Sequence, residues 1–162
     1  MGVRMTRGDS RADRGFTFIA VLVLIALTSL GLAVAGPIWA HQVQREREAE
    51  MLRIGLLYAD AIADYQKNAP GSLRQYPNSL EDLLLDRRFV GVKRHLRELY
   101  GDPMTPGQSW ALIRDIDDRI IGVRSRSGDE PIAQRSIDLG GVMLPEAHHY
   151  SDWQFVAKGA KS

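Results

Sequence analysis

The sequence contains no cysteine, which excludes disulfide bonds, thiolate metal sites and a cysteine nucleophile. It also lacks an excess of charge of either sign, because 21 Lys and Arg residues stand against 20 Asp and Glu residues, a formal net charge of +1. A domain that binds nucleic acid usually has a clear basic excess, and this composition does not provide one. At 162 residues the chain has room for one modest domain.

What the sequence does have is a run of 25 residues without a charge, from Phe16 to Ala40. A helix of that length spans about 37 Å at about 1.5 Å per residue, more than the roughly 30 Å of a bilayer core. A chain this small could hardly surround a helix that is apolar on every face, which favours a membrane helix over a buried core helix. Residues 16–40 are therefore predicted to span a membrane.

Basic residues are concentrated before this run. Residues 1–15 contain four arginines and two aspartates, a local charge of +2, which leaves −1 for the rest of the chain. The positive-inside rule then keeps the N-terminus in the cytoplasm and exports the C-terminal part. A secretory signal has a shorter apolar stretch with a cleavage site after it, so residues 1–15 are predicted to be a cytoplasmic leader of another kind.

The junction between the leader and the apolar run lies within the segment RGFTFIAVLVLIAL. This segment resembles the class III signal of type IV prepilins and type II secretion pseudopilins, usually written G-F-T-L-I-E. The resemblance implies that a prepilin peptidase cleaves between Gly15 and Phe16 and methylates the new N-terminal phenylalanine. Pro37 stands 22 residues into the mature chain, where family members commonly have a proline. Proline removes a helical hydrogen bond, so a loosened turn is expected there.

Ala20 departs from the family pattern, because most members have a glutamate at this fifth mature position. In the family that carboxylate pairs with the N-terminal amine of a neighbouring subunit, which offsets the cost of a charge in lipid and guides register during assembly. Ala20 cannot form this pair. The resemblance then favours a minor or divergent subunit, whereas without the resemblance Ala20 is one more lipid-facing residue of a plain anchor.

The function implied by the resemblance is that of a structural subunit, not an enzyme, in a periplasmic pseudopilus or type IV pilus-like filament that serves type II-like protein secretion. The implied partners are the prepilin peptidase, other pilin or pseudopilin subunits, and an inner-membrane assembly platform with its ATPase. The implied location is a single pass through the inner membrane with a periplasmic head, and a filament after assembly.

Residues 41–68 are predicted to form the amphipathic half of the same helix, since Ala69-Pro70-Gly71 is the first breaker. Its apolar residues recur at three- and four-residue steps and should lie against a sheet: Met51, Ile54, Tyr58, Ile62 and Tyr65. The alternating charges of residues 45–53 predict a solvated or filament-lining surface.

Residues 69–107 are predicted to connect the helix to a sheet through short helices. Ser79-Leu80-Glu81-Asp82 resembles a capping box that opens the first of these helices, and a second is expected from Lys93 to Tyr100, ended by Asp102-Pro103. Residues 108–162 should form a small antiparallel sheet, with strands at 110–114, 119–124 and 153–156 and a long loop at 127–150. The predicted fold class is α+β and pilin-like: one long N-terminal helix, half in the membrane and half amphipathic, packed on this sheet.

Few residues indicate chemistry. Major pseudopilins bind calcium in their C-terminal loops, and by that resemblance Asp129, Asp138 and Asp152 are weak calcium candidates, although their spacing fits no EF-hand loop. No other metal or cofactor is predicted. The four histidines are interpreted as surface residues: His41, His95, His148 and His149. Familiar catalytic motifs such as G-x-S-x-G and H-E-x-x-H are absent from the sequence.

Two alternatives remain open. One is a filament-associated binding protein whose head contacts DNA or an exported substrate. For DNA, the chain offers one basic cluster of five residues: Arg87, Arg88, Lys93, Arg94 and Arg97. The charge of −1 on the mature chain counts against DNA as the ligand. The other alternative is a membrane-anchored enzyme. The sequence does not favour it, because no combination of acid, base and nucleophile is recognisable.

Overall fold

A computed structural model describes residues 12–71, 74–133, 135–140 and 142–160. Inside the first helix, the side chains of residues 12–16 and 30–39 lie outside the described part. The chain divides into two compact units, Met1–Val43 and Gln44–Ser162. The first helix, α1, comprises Ala12–Lys67 and contributes to both units.

Within the second unit, α1 ends close to the predicted position. Lys67 is its last residue, and Asn68 continues the last turn by donating its backbone N–H to the Asp64 carbonyl at 3.0 Å. The five apolar positions expected to face a sheet are all buried, with 0 to 7% of their surface exposed. The three- and four-residue spacing therefore identified the packed face of α1 correctly.

The main sheet has three antiparallel strands in the order β1-β2-β5: β1 is Ala111–Arg114, β2 is Ile120–Arg124, and β5 is Gln154–Val156. Leu112, Val123 and Phe155 stand opposite one another across the three strands and so project from one face. This face packs on α1 at Gly55, where an added Cβ atom would lie 2.5 Å from the Phe155 ring. Glycine at position 55 thus permits the close approach of helix and sheet.

The turn between β1 and β2 lies between the strands predicted at 110–114 and 119–124. The Asp115 carboxylate accepts the backbone N–H groups of Asp117 and Arg119, each at 2.9 Å, and Asp118 adopts a positive φ of 59°. Aspartate suits both roles, because its short side chain bonds to the nearby backbone and tolerates the left-handed conformation. The first two predicted strands are confirmed, and they pair antiparallel through this turn.

Residues 69–107 contain one of the two expected short helices. This helix, α2, is Glu81–Leu84, and the Asp82 carboxylate accepts the Ser79 N–H at 3.1 Å, one half of the capping box. The prediction of a second helix from Lys93 to Tyr100 is wrong. The backbone there bonds to α2 instead of to itself, since the N–H groups of His95 and Leu96 both donate to the Leu83 carbonyl, at 2.8 and 3.0 Å.

The predicted loop of residues 127–150 is more structured than expected. It contains a two-stranded antiparallel sheet of β3, Ile137–Asp138, and β4, Met143–Leu144. A 3₁₀ turn, Tyr150–Asp152, then leads into β5. Strands of two residues carry too little periodicity to be recognised in sequence.

The core of the second unit is rich in aromatic side chains. Trp110 contacts both Tyr58 and Phe155 edge to face, with ring centroids 6.0 and 5.9 Å apart, and Tyr150 contacts Trp153 in the same way at 5.6 Å. Such pairs stabilise by about 0.5–1.5 kcal/mol each beyond the area they bury. The prediction of an α+β fold with a small antiparallel sheet is confirmed.

Candidate functional site

Residues 17–29 of α1 expose apolar side chains on all sides. Half or more of the surface is exposed for each of the large ones: Phe18, Ile19, Val21, Leu22, Val23, Leu24, Ile25 and Leu27. The hydroxyl of Thr28 donates back to the carbonyls of Leu24 and Ile25, at 3.0 and 2.9 Å, which leaves this polar group satisfied inside the helix. Large exposed apolar surfaces commonly mark sites of contact with lipid or with other proteins.

The residues assigned to processing and assembly lie before, within and after this segment. The leader up to residue 11 lies outside the described residues, as do the side chains of Phe16 and Pro37 and the burial of Gly15, although the backbone of all three falls within the bounds of α1. Ala20 is exposed. Across the part of the chain that the structure describes, no helix combines the length and the hydropathy required to cross a bilayer.

Glu48 is the first of three buried carboxylates among the described residues of the second unit, Gln44–Ser162, which we call the head. Its residue surface is 8% exposed, and its Oε2 accepts the Tyr150 hydroxyl at 2.7 Å and the Ile132 backbone N–H at 2.8 Å. Gln44, one helical turn earlier, donates to the Glu130 carbonyl and to the Tyr150 hydroxyl, both at 3.2 Å. Two side chains of α1 therefore hold the segment after β2 and the 3₁₀ turn.

This network corrects part of the charged-face prediction. Burial, followed by the hydrogen bond to Glu48, raises the pKa of Tyr150 to about 12, so its hydroxyl remains a proton donor throughout the neutral range. The alternating charges of residues 45–53 indicated a solvated surface, and Glu48 is an exception because its partners come from about 100 residues later in the chain. No local pattern marks such a residue.

Asp86 is the second buried carboxylate, with its side chain fully enclosed. Arg88 donates to both of its oxygens, from Nε at 2.8 Å and from Nη2 at 2.7 Å, and His95 Nε2 lies 3.2 Å from Oδ2. The same guanidinium stacks 3.4 Å above the Tyr65 ring and donates to the Tyr65 carbonyl at 2.6 Å. The cluster fixes the segment after α2 to the last turns of α1.

The third buried carboxylate, Asp102, accepts hydrogen bonds from neutral donors only. The donors are the hydroxyls of Thr105 and Ser125, at 2.8 and 2.6 Å, and the backbone N–H groups of Met104 and Arg126, at 2.9 and 3.1 Å. Asp102 was expected to end a helix together with Pro103. Instead, its carboxylate joins the turn at 102–105 to the segment that follows β2. All three carboxylates are thus used for structure.

The calcium candidates have local partners of their own. The carboxylate of Asp129 accepts the Ser127 hydroxyl at 3.0 Å, that of Asp138 accepts the Gly140 N–H at 3.1 Å, and that of Asp152 accepts the His149 N–H at 3.0 Å. Among the described residues, no three acidic or histidine side chains are grouped so that they could hold a metal ion. The structure therefore does not bring the three aspartates together as a ligand set.

Three of the four histidines are exposed, as predicted: His41, His148 and His149. His95 is the exception, because only 3% of its side chain is exposed where it meets Asp86 and the Tyr65 ring. Its surface assignment was wrong for the same reason as that of Glu48, since its partners come from other segments of the chain.

The basic cluster divides into one internal and four peripheral members. Arg88 turns inward to Asp86 and Tyr65 and is not available to a ligand. Arg87, Arg94 and Arg97 are exposed, and Lys93 places its ammonium 4.4 Å from the centre of the Phe89 ring. A cationic surface therefore remains, smaller than the sequence indicated.

Comparisons of the chain with protein-family models, with curated proteins and with solved structures find no match. The inference of function accordingly depends on the residues and geometry of this chain.

Proposed function

We propose that the chain is a structural subunit, minor or divergent, of a pseudopilus or type IV pilus-like filament that serves type II-like protein secretion. The observation that carries the proposal is the register of the N-terminal segment. Gly15 stands directly before the uncharged run, Phe16 begins it, and Pro37 follows at the position where members of the family commonly have a proline.

The exposed surface of residues 17–29 supports the same proposal. A helix that is apolar on every side can be covered by lipid before assembly and by neighbouring helices afterwards. In either environment, each square ångström of its apolar surface that is kept from water stabilises the helix by about 25 cal/mol. Packing against other subunits then offsets the loss of lipid contact when the subunit leaves the membrane. In this proposal residues 16–40 anchor the chain in the inner membrane, the leader is cytoplasmic and the head is periplasmic.

The buried carboxylates support a structural role for the head. Glu48, Asp86 and Asp102 each accept at least two hydrogen bonds from donors of this chain, so they join loops to α1 and to the sheet. A head held in this way can present fixed surfaces to neighbouring subunits. The partners in this proposal are the prepilin peptidase, other pilin or pseudopilin subunits, and the assembly platform with its ATPase.

Ala20 supports assignment to a minor or divergent subunit. It is exposed and has no carboxylate, so it cannot pair with the terminal amine of a neighbour. Such a subunit depends on apolar packing for its register, or occupies a place in the filament where no amine needs a partner.

Processing provides the direct test. Full-length protein co-expressed with a prepilin peptidase should gain mobility on a denaturing gel, because removal of the 15-residue leader shortens the chain. Gly15→Ala should abolish this shift, and Gly8→Ala, a glycine change inside the leader, should leave it intact. If Gly15→Ala protein is shortened like the unchanged protein, cleavage does not depend on this junction and the proposal fails.

A further inference from the structure

A loop after α2 combines cations with exposed aliphatic side chains. We call residues 87–97 the basic loop; it holds five Lys and Arg residues and no Asp or Glu. At its tip, Val90 is fully exposed and Val92 is 75% exposed. Neither valine contributes to the core of the head, so their apolar surface is open to a partner.

The base of the basic loop is held firmly. The Asp86 backbone N–H donates to the Lys93 carbonyl at 2.9 Å and closes the loop, while Arg88 is bound at Asp86. Leu96 is buried, and its N–H is bonded to α2. Because the base is ordered in advance, docking of the tip costs little additional conformational entropy.

The chemistry of the loop favours an anionic lipid surface over a nucleic acid. Proteins that bind single strands stack bases on open aromatic rings, and the one Phe, Tyr or Trp ring here, that of Phe89, is partly buried with the Lys93 ammonium against it. Aliphatic tips flanked by Lys and Arg are the combination that binds membrane surfaces, where cations meet lipid phosphates and apolar groups enter the headgroup region.

We infer that the basic loop docks on a membrane containing anionic phospholipid, with Val90 and Val92 entering the boundary between headgroups and acyl chains. Arg87, Lys93, Arg94 and Arg97 then lie at the level of the phosphates. Each such cation raises membrane affinity about fivefold at moderate salt, and each methyl or methylene group taken out of water raises it about fourfold. This inference does not depend on cleavage at Gly15 or on filament assembly.

The absence of cysteine makes a clean test possible. Full-length protein with Val90→Cys has a single thiol, which can be labelled with the environment-sensitive fluorophore NBD and placed in nanodiscs of neutral phosphatidylcholine. Vesicles of phosphatidylcholine, or of equal amounts of phosphatidylcholine and phosphatidylglycerol, are then added. The NBD emission should rise and shift to the blue with the anionic vesicles alone, and high salt should reverse the change.

Ile116→Cys is the matched control, because Ile116 is also fully exposed but stands among aspartates at the tip of the β1–β2 turn. Its label should not respond. In the Val90→Cys background, Arg94→Gln with Arg97→Gln should weaken the apparent affinity about 25-fold, and Val92→Ser should reduce both affinity and blue shift.

Several results would overturn the inference. They are an absent response to anionic vesicles, an equal response to neutral vesicles, or an equal response of the label at position 116. A response to double-stranded DNA as strong as that to vesicles, and unchanged by Val92→Ser, would show a general polyanion site and would equally refute docking on lipid.

Discussion

Replacing Asp86 with alanine is expected to lower the free energy of unfolding by about 3 kcal/mol. The change removes the acceptor for two guanidinium bonds and one backbone N–H of Arg88, and it leaves a cation with only 24% of its side chain exposed and without its bonded carboxylate. Loss of one partner of a buried ion pair is costly because the other must stay desolvated and uncompensated.

The dependence on pH gives this prediction a second readout. The hydrogen bonds from Arg88, followed by that from His95, hold the pKa of Asp86 at about 2, below its usual 3.8. A carboxyl whose pKa is lower in the folded state stabilises the fold above its unfolded pKa and loses that contribution as the pH falls toward about 2. The difference between wild type and Asp86→Ala should therefore be largest near neutral pH and shrink below about pH 4.

Urea denaturation of the full-length chain in mild detergent, followed by the fluorescence of buried Trp110 and Trp153, measures this difference. The control is Asp117→Ala, because Asp117 is exposed in the β1–β2 turn and should change stability by less than about 0.5 kcal/mol. Equal urea midpoints for Asp86→Ala and wild type near neutral pH would show that the cluster does not stabilise the head.

Replacing Phe155 with alanine is expected to cost about 3–5 kcal/mol of unfolding free energy. Its ring is fully buried, lies against the bare backbone of α1 at Gly55 and meets Trp110 edge to face. Alanine would leave a cavity between helix and sheet that neither element can close without a backbone shift.

Ile116→Ala is the control for this second prediction, because Ile116 is a large apolar residue that is fully exposed, and its loss should be nearly neutral. Phe155→Leu should fall between the two, since it keeps part of the buried volume. If Phe155→Ala unfolds at the same urea concentration as wild type, the contact at Gly55 does not join helix and sheet.

Elements with strong local signals could be predicted from the sequence. The apolar residues from Met51 to Tyr65 repeat at helical spacing over several turns, and this repeat alone indicates which face of α1 is buried. The β1–β2 hairpin has an equally clear signal, because two runs of β-forming residues enclose a turn rich in aspartate.

Features that depend on distant partners could not be predicted. Glu48 resembles its neighbours of the charged face, and only the arrival of Tyr150 and Ile132 makes it a buried acceptor. Residues 93–100 have acceptable helix propensity, yet α2 offers their backbone better hydrogen bonds. In each case tertiary contacts override a weak local preference.

The proposed function does not depend on tertiary contacts, since it comes from a short N-terminal motif and not from the head. Gly15, Phe16 and Pro37 are informative because their positions match the pattern of the prepilin and pseudopilin family, a resemblance that rests on the sequence. The buried carboxylates of the head explain how its loops are held, and they do not by themselves indicate a filament.

Cross-linking between engineered cysteines tests assembly most directly. In a helical filament one residue of a subunit meets a different residue of the next, so a chain with two cysteines can form a ladder whereas one cysteine stops at dimers. With one cysteine at Ala20 and the second moved through residues 24–28, oxidation in cells that carry the peptidase and the assembly platform should give ladders of three or more subunits. Gly15→Ala in the same background should remain monomeric. Monomers at every pair of positions, with Gly15 intact, would contradict the account of this chain as a filament subunit.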